Sequence, residues 1–139
     1  AHPKTSGSKG MQMYVALDGK VDVDVVHGFA RRLAERLEKE HPRLVVSRME
    51  KRLRPGKVLV DWSQNNAAKT TVAPYSMRGR EQPTVSTPVT WDEVEQAARS
   101  NAKSRLPLRF DYRDVLARVD DDGDLMAPLL DEAHALPGG

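Results

Sequence analysis

Apolar and polar residues alternate over positions 11–17, and a period of two predicts a β-strand. The Asp-Gly pair at 18–19 predicts a turn after it. A second pattern, with steps of three and four, then predicts one apolar face of a helix, formed by Val26, Phe29, Ala30, Leu33 and Leu37. We expect Asp22 or Asp24 to cap this helix and Pro42 to end it.

Two further apolar segments, at 44–49 and 57–62, predict strands, and a Pro-Gly turn at 54–57 lies between them. The order over residues 11–62 is therefore β-α-β-β. This order is typical of a mixed α/β layer, so we expect the α/β (α+β) fold class.

The pattern is looser outside this region. Residues 1–8 carry no helix or strand signal, and the proline-rich segment after Asn66 predicts short strands and extended chain. Thr90, with Glu93 three residues later, predicts a capping box and a short helix. We expect a polar linker at 97–109. Two short helices are predicted at 111–119 and 125–135, joined by the acidic turn DDDGD.

Composition limits the class of protein. The chain has 139 residues, of which 39% are hydrophobic and 30% charged, as expected for one globular domain. The absence of cysteine excludes disulfides and zinc–thiolate sites. No apolar run approaches the ~20 residues that span a bilayer, and no signal peptide is visible, so we expect a cytosolic protein without membrane contact.

Charge is distributed unevenly, although the net charge is only +2. Residues 31–57 contain ten lysines and arginines, whereas residues 111–132 are acidic. Such asymmetry indicates a polyanionic partner. The alternative is a solvated helix face followed by a basic turn.

The segment KTSGSKG at residues 4–10 combines small, polar and basic residues directly before a strand. Glycines let a backbone approach a phosphate, serines donate hydroxyl hydrogen bonds, and lysine supplies a point charge. The spacing is not that of a P-loop. A phosphate-binding loop and a flexible leader both remain open from spacing alone.

Two other segments carry candidate chemistry. Asp61 ends an apolar strand beside amide side chains in KVLVDWSQNN, an arrangement suited to Mg²⁺ or Mn²⁺; capping of a turn is the simpler alternative. In APYSMRGR, Arg78 and Arg80 suit a phosphate or a carboxylate, or are ordinary surface charge. The aspartates at 22–24 fit a helix start better than a metal site, and the spacing of DDDGD fails that of a calcium loop.

Taken in order, SGSKGMQ, VLVDWSQNNAAKTTVAPYSMRGR and PTVSTPVTWDEV closely resemble the polymerase domain of bacterial ligase D, within the archaeo-eukaryotic primase superfamily. The resemblance extends from about residue 4 to about residue 130. It implies an RRM-like β-α-β-β core of a primase-polymerase domain with short C-terminal helices.

The resemblance also implies roles for individual residues. The family's second motif, which holds the phosphates of the incoming nucleotide, is matched by Ser6, Ser8 and Lys9. Asp61 matches a catalytic, metal-binding carboxylate, with Gln64 and Asn65 beside it, and Arg78 matches an arginine that contacts nucleotide or template. Gln12 stands where the family usually has histidine; it can donate a hydrogen bond but cannot carry the charge of a proton.

A larger departure concerns the first family motif, a DxD pair that precedes the Ser-Gly loop, because only five residues precede Ser6 here. The chain therefore resembles the carboxy-terminal half of such a domain. We expect one partial domain, with a phosphate-loop leader at 1–10, half of the catalytic core at 11–96, and a linker with terminal helices at 97–139. We expect the chain alone not to polymerise.

The activity implied for the parent protein is template-dependent nucleotidyl transfer at DNA ends during non-homologous end joining, by a two-metal mechanism with Mn²⁺ or Mg²⁺. The implied partners are a nucleoside triphosphate, double-stranded DNA ends, Ku, and ligase and phosphoesterase domains of the same polypeptide. The implied location is the bacterial cytoplasm, at the nucleoid. The alternative is a non-catalytic nucleotide- or DNA-binding module, or a scaffold in a repair complex.

Overall fold

The structure is a computed structural model that describes residues 1–79, 81–100 and 108–137. Its contacts divide the chain into two compact units. The first unit contains residues 1–18 and 72–135, and the second contains residues 19–71 and the end of the chain from residue 136. Part of the predicted linker at 97–109, and Arg80, lie outside the described residues.

The regular elements are short, apart from the first helix. The strands are β1 (His2–Thr5), β2 (Met11–Tyr14), β3 (Val45–Val46), β4 (Val58–Leu59), β5 (Met77–Arg78) and β6 (Thr84–Val85), and the helices are α1 (Val23–Glu40), α2 (Trp91–Arg99) and α3 (Tyr112–Asp122). The strands form three two-stranded sheets, β1–β2, β3–β4 and β5–β6. The predicted fold class, helices with small sheets, is confirmed, and the predicted β-α-β-β order corresponds to β2-α1-β3-β4.

The expectation of no strand in residues 1–8 is wrong. Strand β1 pairs antiparallel with β2, with His2 opposite Tyr14 and Thr5 opposite Met11. A proline and polar residues give β1 no apolar alternation, yet Lys4 and Thr5 are buried because their polar atoms are hydrogen-bonded. Because the buried residues of β1 are polar, the pattern of hydrophobic residues does not predict this strand.

The core of the first unit is the segment 84–89, in which every residue is buried. Its backbone bonds to several neighbours: Thr5 N donates to Thr87 O at 2.8 Å, Val89 N to Pro3 O at 3.1 Å, and Val85 N to Phe110 O at 2.9 Å. Segment 84–89 therefore fixes β1, and with it the loop between β1 and β2.

The helices of the first unit differ from the predictions mainly at their ends. The capping box of Thr90 and Glu93 is present at the start of α2, which continues to Arg99, into the predicted linker. Helix α3 includes the first three aspartates of DDDGD and is capped by Gly123, where φ is +72°. The predicted acidic turn is therefore wrong. The predicted helix at 125–135 is also wrong, because only a 3-10 turn forms there, at Ala127–Leu130.

In the second unit, α1 packs on β3, which pairs in parallel with β4. Asp22 occupies the N-cap position of α1 but makes no side-chain cap bond. The helix buries Ala34 completely, whereas Leu33 of the predicted apolar face is 44% exposed. The predicted turn at 54–57 is present, with Gly56 at φ +70°. Within the described residues, no helix is long and apolar enough to cross a membrane.

Candidate functional site

The loop that joins β1 to β2 is closed by its own hydrogen bonds. Ser6 N donates to Gly10 O at 2.8 Å, and the hydroxyl oxygen of Ser6 accepts from the amides of Ser8 and Gly10, both at 3.2 Å. We call residues 6–10 the hairpin loop. Ser8, Lys9 and Gly10 are exposed, so the polar groups at the tip of this loop face solvent.

Gly7 packs the hairpin loop directly against β5 and β6. Its φ is +63°, and a Cβ built on it would lie 2.7 Å from Cγ of Arg78 and 3.1 Å from the backbone N of Ser86. The hydroxyl of Thr84 donates to Gly7 O at 2.6 Å. The structure thus brings Arg78, which is 68–72 positions away in the sequence, beside the loop that the sequence singled out.

Two cations in this part of the first unit have no acidic partner in the described part of the chain. Within the described residues, neither Lys9 nor Arg78 forms an ion pair with a carboxylate. In the second unit, by contrast, Arg31 pairs with Glu35 and Arg36 with Glu40. The positive charge at the hairpin loop is therefore available to an external anion.

Gln12 is in β2, directly opposite Lys4 of β1. Its side-chain Oε1 is buried and has no hydrogen-bond partner among the described residues. A buried amide oxygen without a donor costs free energy.

Lys4 was not among the predicted site residues, although it lies in the segment KTSGSKG at residues 4–10. It is completely buried; its Nζ donates to Ser86 Oγ at 2.6 Å and to Val72 O at 2.9 Å. Burial, together with the charge of Arg78, lowers the pKa of Lys4 to about 8. A sequence gives no signal for the burial of a lysine in a strand that the pattern did not predict.

Asp61, in the second unit, caps a 3-10 turn at Trp62–Gln64. Its Oδ1 accepts from the backbone N of Ser63 at 3.0 Å and from the Ser63 hydroxyl at 2.7 Å, and its Oδ2 from Gln64 Nε2 at 3.4 Å. Burial raises the pKa of Asp61, but these hydrogen bonds and the Lys69 charge outweigh it, so the pKa lies below its usual value. Asp61 is therefore an ionised carboxylate at neutral pH.

The turn that carries Asp61 is held against α1 by an aromatic side chain. Trp62 Nε1 donates to Ser47 O at 2.9 Å, and the His27 ring meets the Trp62 indole edge-on at 5.1 Å between centroids. His27 Nδ1 also lies 2.7 Å from Asn65 O, and the Asn65 amide donates to Trp62 O at 3.2 Å. The contacts of Asn65 thus maintain the turn.

A two-metal centre needs two or three carboxylates around the ions. Asp61 is the one carboxylate predicted for this role, and no cluster of three or more His, Asp or Glu side chains that could hold a metal ion occurs in the described part of the chain. The described residues therefore do not form a complete two-metal site by themselves.

The family model for the LigD primase-polymerase domain matches residues 1–126. The chain belongs to this family. It is 52% identical, over 92% of its length, to the multifunctional non-homologous end joining protein LigD of Mycolicibacterium smegmatis. It is also 31% identical, over 88% of its length, to the bifunctional non-homologous end joining protein LigD of Bacillus subtilis.

A solved structure, the polymerase domain of Mycobacterium tuberculosis ligase D in complex with DNA, matches 96% of the chain at 47% identity and a TM-score of 0.83. The family resemblance stated from the motifs is therefore confirmed. The chain spans 44% of that solved chain and 16% of the M. smegmatis LigD. The roles of the individual LigD-type site residues stay predictions.

The first unit contains Ser6, Ser8, Lys9, Gln12 and Arg78, and it places Arg78 against the hairpin loop. The second unit contains Asp61, Gln64 and Asn65, which share one turn. Each set lies within one unit. Contacts across more than 60 positions, such as that between Gly7 and Arg78, were accessible from the sequence only through the family resemblance.

Proposed function

We propose that this chain is the nucleotide-phosphate-binding part of a LigD-type nucleotidyltransferase that adds nucleotides to DNA ends during non-homologous end joining. The proposal is based on the hairpin loop, which has Lys9 at its tip and Arg78 packed on Gly7. Neither Lys9 nor Arg78 is paired with a carboxylate in the described residues. Such a group of donors and unneutralised cations suits the phosphates of a nucleoside triphosphate.

The residues of the loop have distinct parts in this proposal. Lys9 supplies an exposed ammonium to the phosphate chain, and Arg78 supplies a planar guanidinium that can bind two phosphate oxygens together. The hydroxyls of Ser6 and Ser8 donate to the remaining oxygens. Because Gly7 holds the loop on segment 84–89, these donors keep their positions without reorganisation when the anion binds.

Asp61 would hold one divalent cation, Mn²⁺ or Mg²⁺, through its ionised carboxylate. Such a cation supplies charge neutralisation at the reacting phosphate when it is bound. The chain's own contribution is to keep Asp61 ionised and oriented, by the hydrogen bonds from Ser63 and Gln64.

We propose DNA ends as the second partner, since the M. tuberculosis neighbour was solved in complex with DNA. The basic segment 31–57 supports DNA binding less strongly than its composition indicates. Four of its ten cations pair with glutamates of the same chain, in Arg31–Glu35, Arg36–Glu40, Arg48–Glu38 and Arg52–Glu50. Ku, fused ligase or phosphoesterase domains, and a nucleoid location belong to the proposal for the longer LigD-type protein.

A second candidate function is a binding module that holds nucleotide or DNA without catalysis. It is favoured by one observation: Asp61 is the only carboxylate of the described residues to which the family motifs give a metal-binding role, and its present contacts are those of a turn cap.

Incubation of the chain with a labelled nucleoside triphosphate, Mn²⁺ and a DNA end with a template overhang tests the proposal. We expect label that is retained by the chain and displaced by unlabelled triphosphate, without incorporation into DNA, since one carboxylate does not complete a two-metal site. Incorporation that Asp61→Ala abolishes would overturn the expected inactivity and exclude the binding module. Failure to retain any label would contradict the proposed function itself.

A further inference from the structure

Lys4 is a buried ammonium that has no counter-charge among the residues that the structure describes. Its side chain is completely inaccessible to solvent, and no carboxylate of the described residues lies in an ion pair with it. A buried charge is ordinarily compensated by an opposite charge, because hydrogen bonds to neutral groups replace only part of its lost hydration. The neutral acceptors of Lys4 are Val72 O and Ser86 Oγ.

The titratable and charged groups around Lys4 do not supply the missing negative charge. Strand β2 contributes Tyr14, whose ring centroid lies 5.6 Å from Nζ and whose pKa is raised by burial. Strand β5 contributes the guanidinium of Arg78, a second positive charge. Segment 84–89 contributes only the hydroxyl of Ser86. Burial and Arg78 together lower the pKa of Lys4 to about 8.

The ammonium is connected to the hairpin loop through Ser86. The Ser86 hydroxyl accepts from Lys4 Nζ at 2.6 Å and donates to Thr5 O at 2.8 Å, directly before the loop begins. The backbone N of Ser86 lies 3.1 Å from the position of a Cβ on Gly7. Lys4 contacts Ser86 and Arg78 contacts Gly7, and the two cations are close enough for the charge of Arg78 to lower the pKa of Lys4.

We propose that Lys4 is a positioning residue of the hairpin loop and that a phosphate anion bound by this loop is its missing counter-charge. This inference rests on the proposed phosphate-binding role of the loop. It adds that the binding of phosphate is coupled to the protonation of Lys4. Binding of the anion then stabilises the charged form of Lys4, so a neutral Lys4 amine takes one proton from the solvent and becomes an ammonium. Nucleotide affinity and Lys4 protonation are thereby linked.

Calorimetry of metal-free ATP binding at pH 8, in two buffers with different ionisation enthalpies, measures this proton directly. At this pH the phosphates of ATP are fully ionised, since their last pKa is about 6–7, and a Lys4 with a pKa of about 8 is half protonated. We expect the chain to take up about half a proton for each ATP bound. Below this pH the uptake that depends on Lys4 should fall, because Lys4 already carries its proton; it is measured as the difference between the wild type and Lys4→Met, which removes the protons that ATP itself exchanges near its own pKa.

Lys4→Met keeps the length and apolar stem of the side chain and removes the charge. We expect it to abolish the proton uptake and to weaken ATP binding by at least about fivefold, the lower end of typical coupling between two sites. Lys39→Met, at an exposed position near the end of α1, is the matched control and should leave both quantities unchanged. Circular dichroism checks that both variants fold.

The wild-type measurement decides the inference even if Lys4→Met fails to fold. ATP binding without proton uptake, or uptake that persists in a folded Lys4→Met variant, would overturn the role of Lys4 and leave the phosphate-binding loop in place. Absence of ATP binding by the wild-type chain would instead overturn the proposed function on which the inference rests.

Discussion

Gly7→Ala should destabilise the first unit by about 3 kcal/mol and lower its melting temperature by roughly 15 °C. A side chain at φ +63° costs about 1–2 kcal/mol by itself. The remainder comes from the clash, because the new Cβ would meet Arg78 Cγ at 2.7 Å and two backbone atoms of segment 84–89 at 3.1 Å. Relief of this clash requires the hairpin loop to separate from Arg78, so nucleotide binding should fall as well.

Gly19→Ala is the matched control for this substitution. Gly19 has a similar φ of +74°, but no atom lies within 4 Å of the position of its Cβ. It should therefore lose only the backbone contribution of about 1–2 kcal/mol and keep its affinity for nucleotide. The difference between the melting temperatures of the two variants measures the contribution of the close packing between the loop and Arg78. Equal destabilisation by both would show that this packing is absent in solution.

Arg118→Met should destabilise the chain by about 2 kcal/mol. Arg118, in α3, donates two hydrogen bonds to Glu93 of α2 at 2.6 and 2.9 Å and stacks 4.9 Å from the centroid of Phe110. The side chains are only 20% and 28% exposed, so the variant leaves a largely buried carboxylate without its cation. Arg99→Met, which breaks the exposed pair with Glu95, should cost less than about 0.5 kcal/mol.

The pH dependence of stability gives a second signature of this ion pair. Burial raises the pKa of Glu93, but the hydrogen bonds from Arg118 and Thr90 outweigh it and the pKa lies below its usual value. The pair therefore stabilises the wild type above pH ~4.5, the ordinary pKa of a glutamate, and this stabilisation is lost as the pH falls through the folded-state pKa. Denaturant titrations at pH 7 and pH 3 should show a smaller difference for Arg118→Met than for the wild type; an equal difference would contradict this account of the pair.

Features that depend on neighbouring residues were predictable from the sequence. The spacing of apolar residues predicts α1, and the pair Thr90–Glu93 predicts the start of α2. Both signals depend only on residues within one or two helical turns. The burial of Ala34 in place of Leu33 was not predictable, since it depends on which side of α1 the rest of the unit covers. The same holds for β1, whose residues are polar and find their partners 80 positions away.

The candidate site divides in the same way. The turn at Asp61 is local, and its capping alternative was visible in the sequence and agrees with the observed hydrogen bonds. The contact of Gly7 with Arg78, and the buried ammonium of Lys4 on Ser86, depend on the packing of segment 84–89 against β1. A hydrophobic pattern carries no information about such polar packing.

Calorimetric titration of the chain with ATP and Mn²⁺ tests the central claim, that the hairpin loop binds nucleotide phosphates. Lys9→Ala should weaken binding by tenfold or more, since a charge-assisted hydrogen bond contributes roughly 1.5–3 kcal/mol. Lys39→Ala removes the same charge from an exposed position on α1 and should leave the affinity unchanged. Binding that is absent in the wild type, or weakened equally by both substitutions, would contradict the claim.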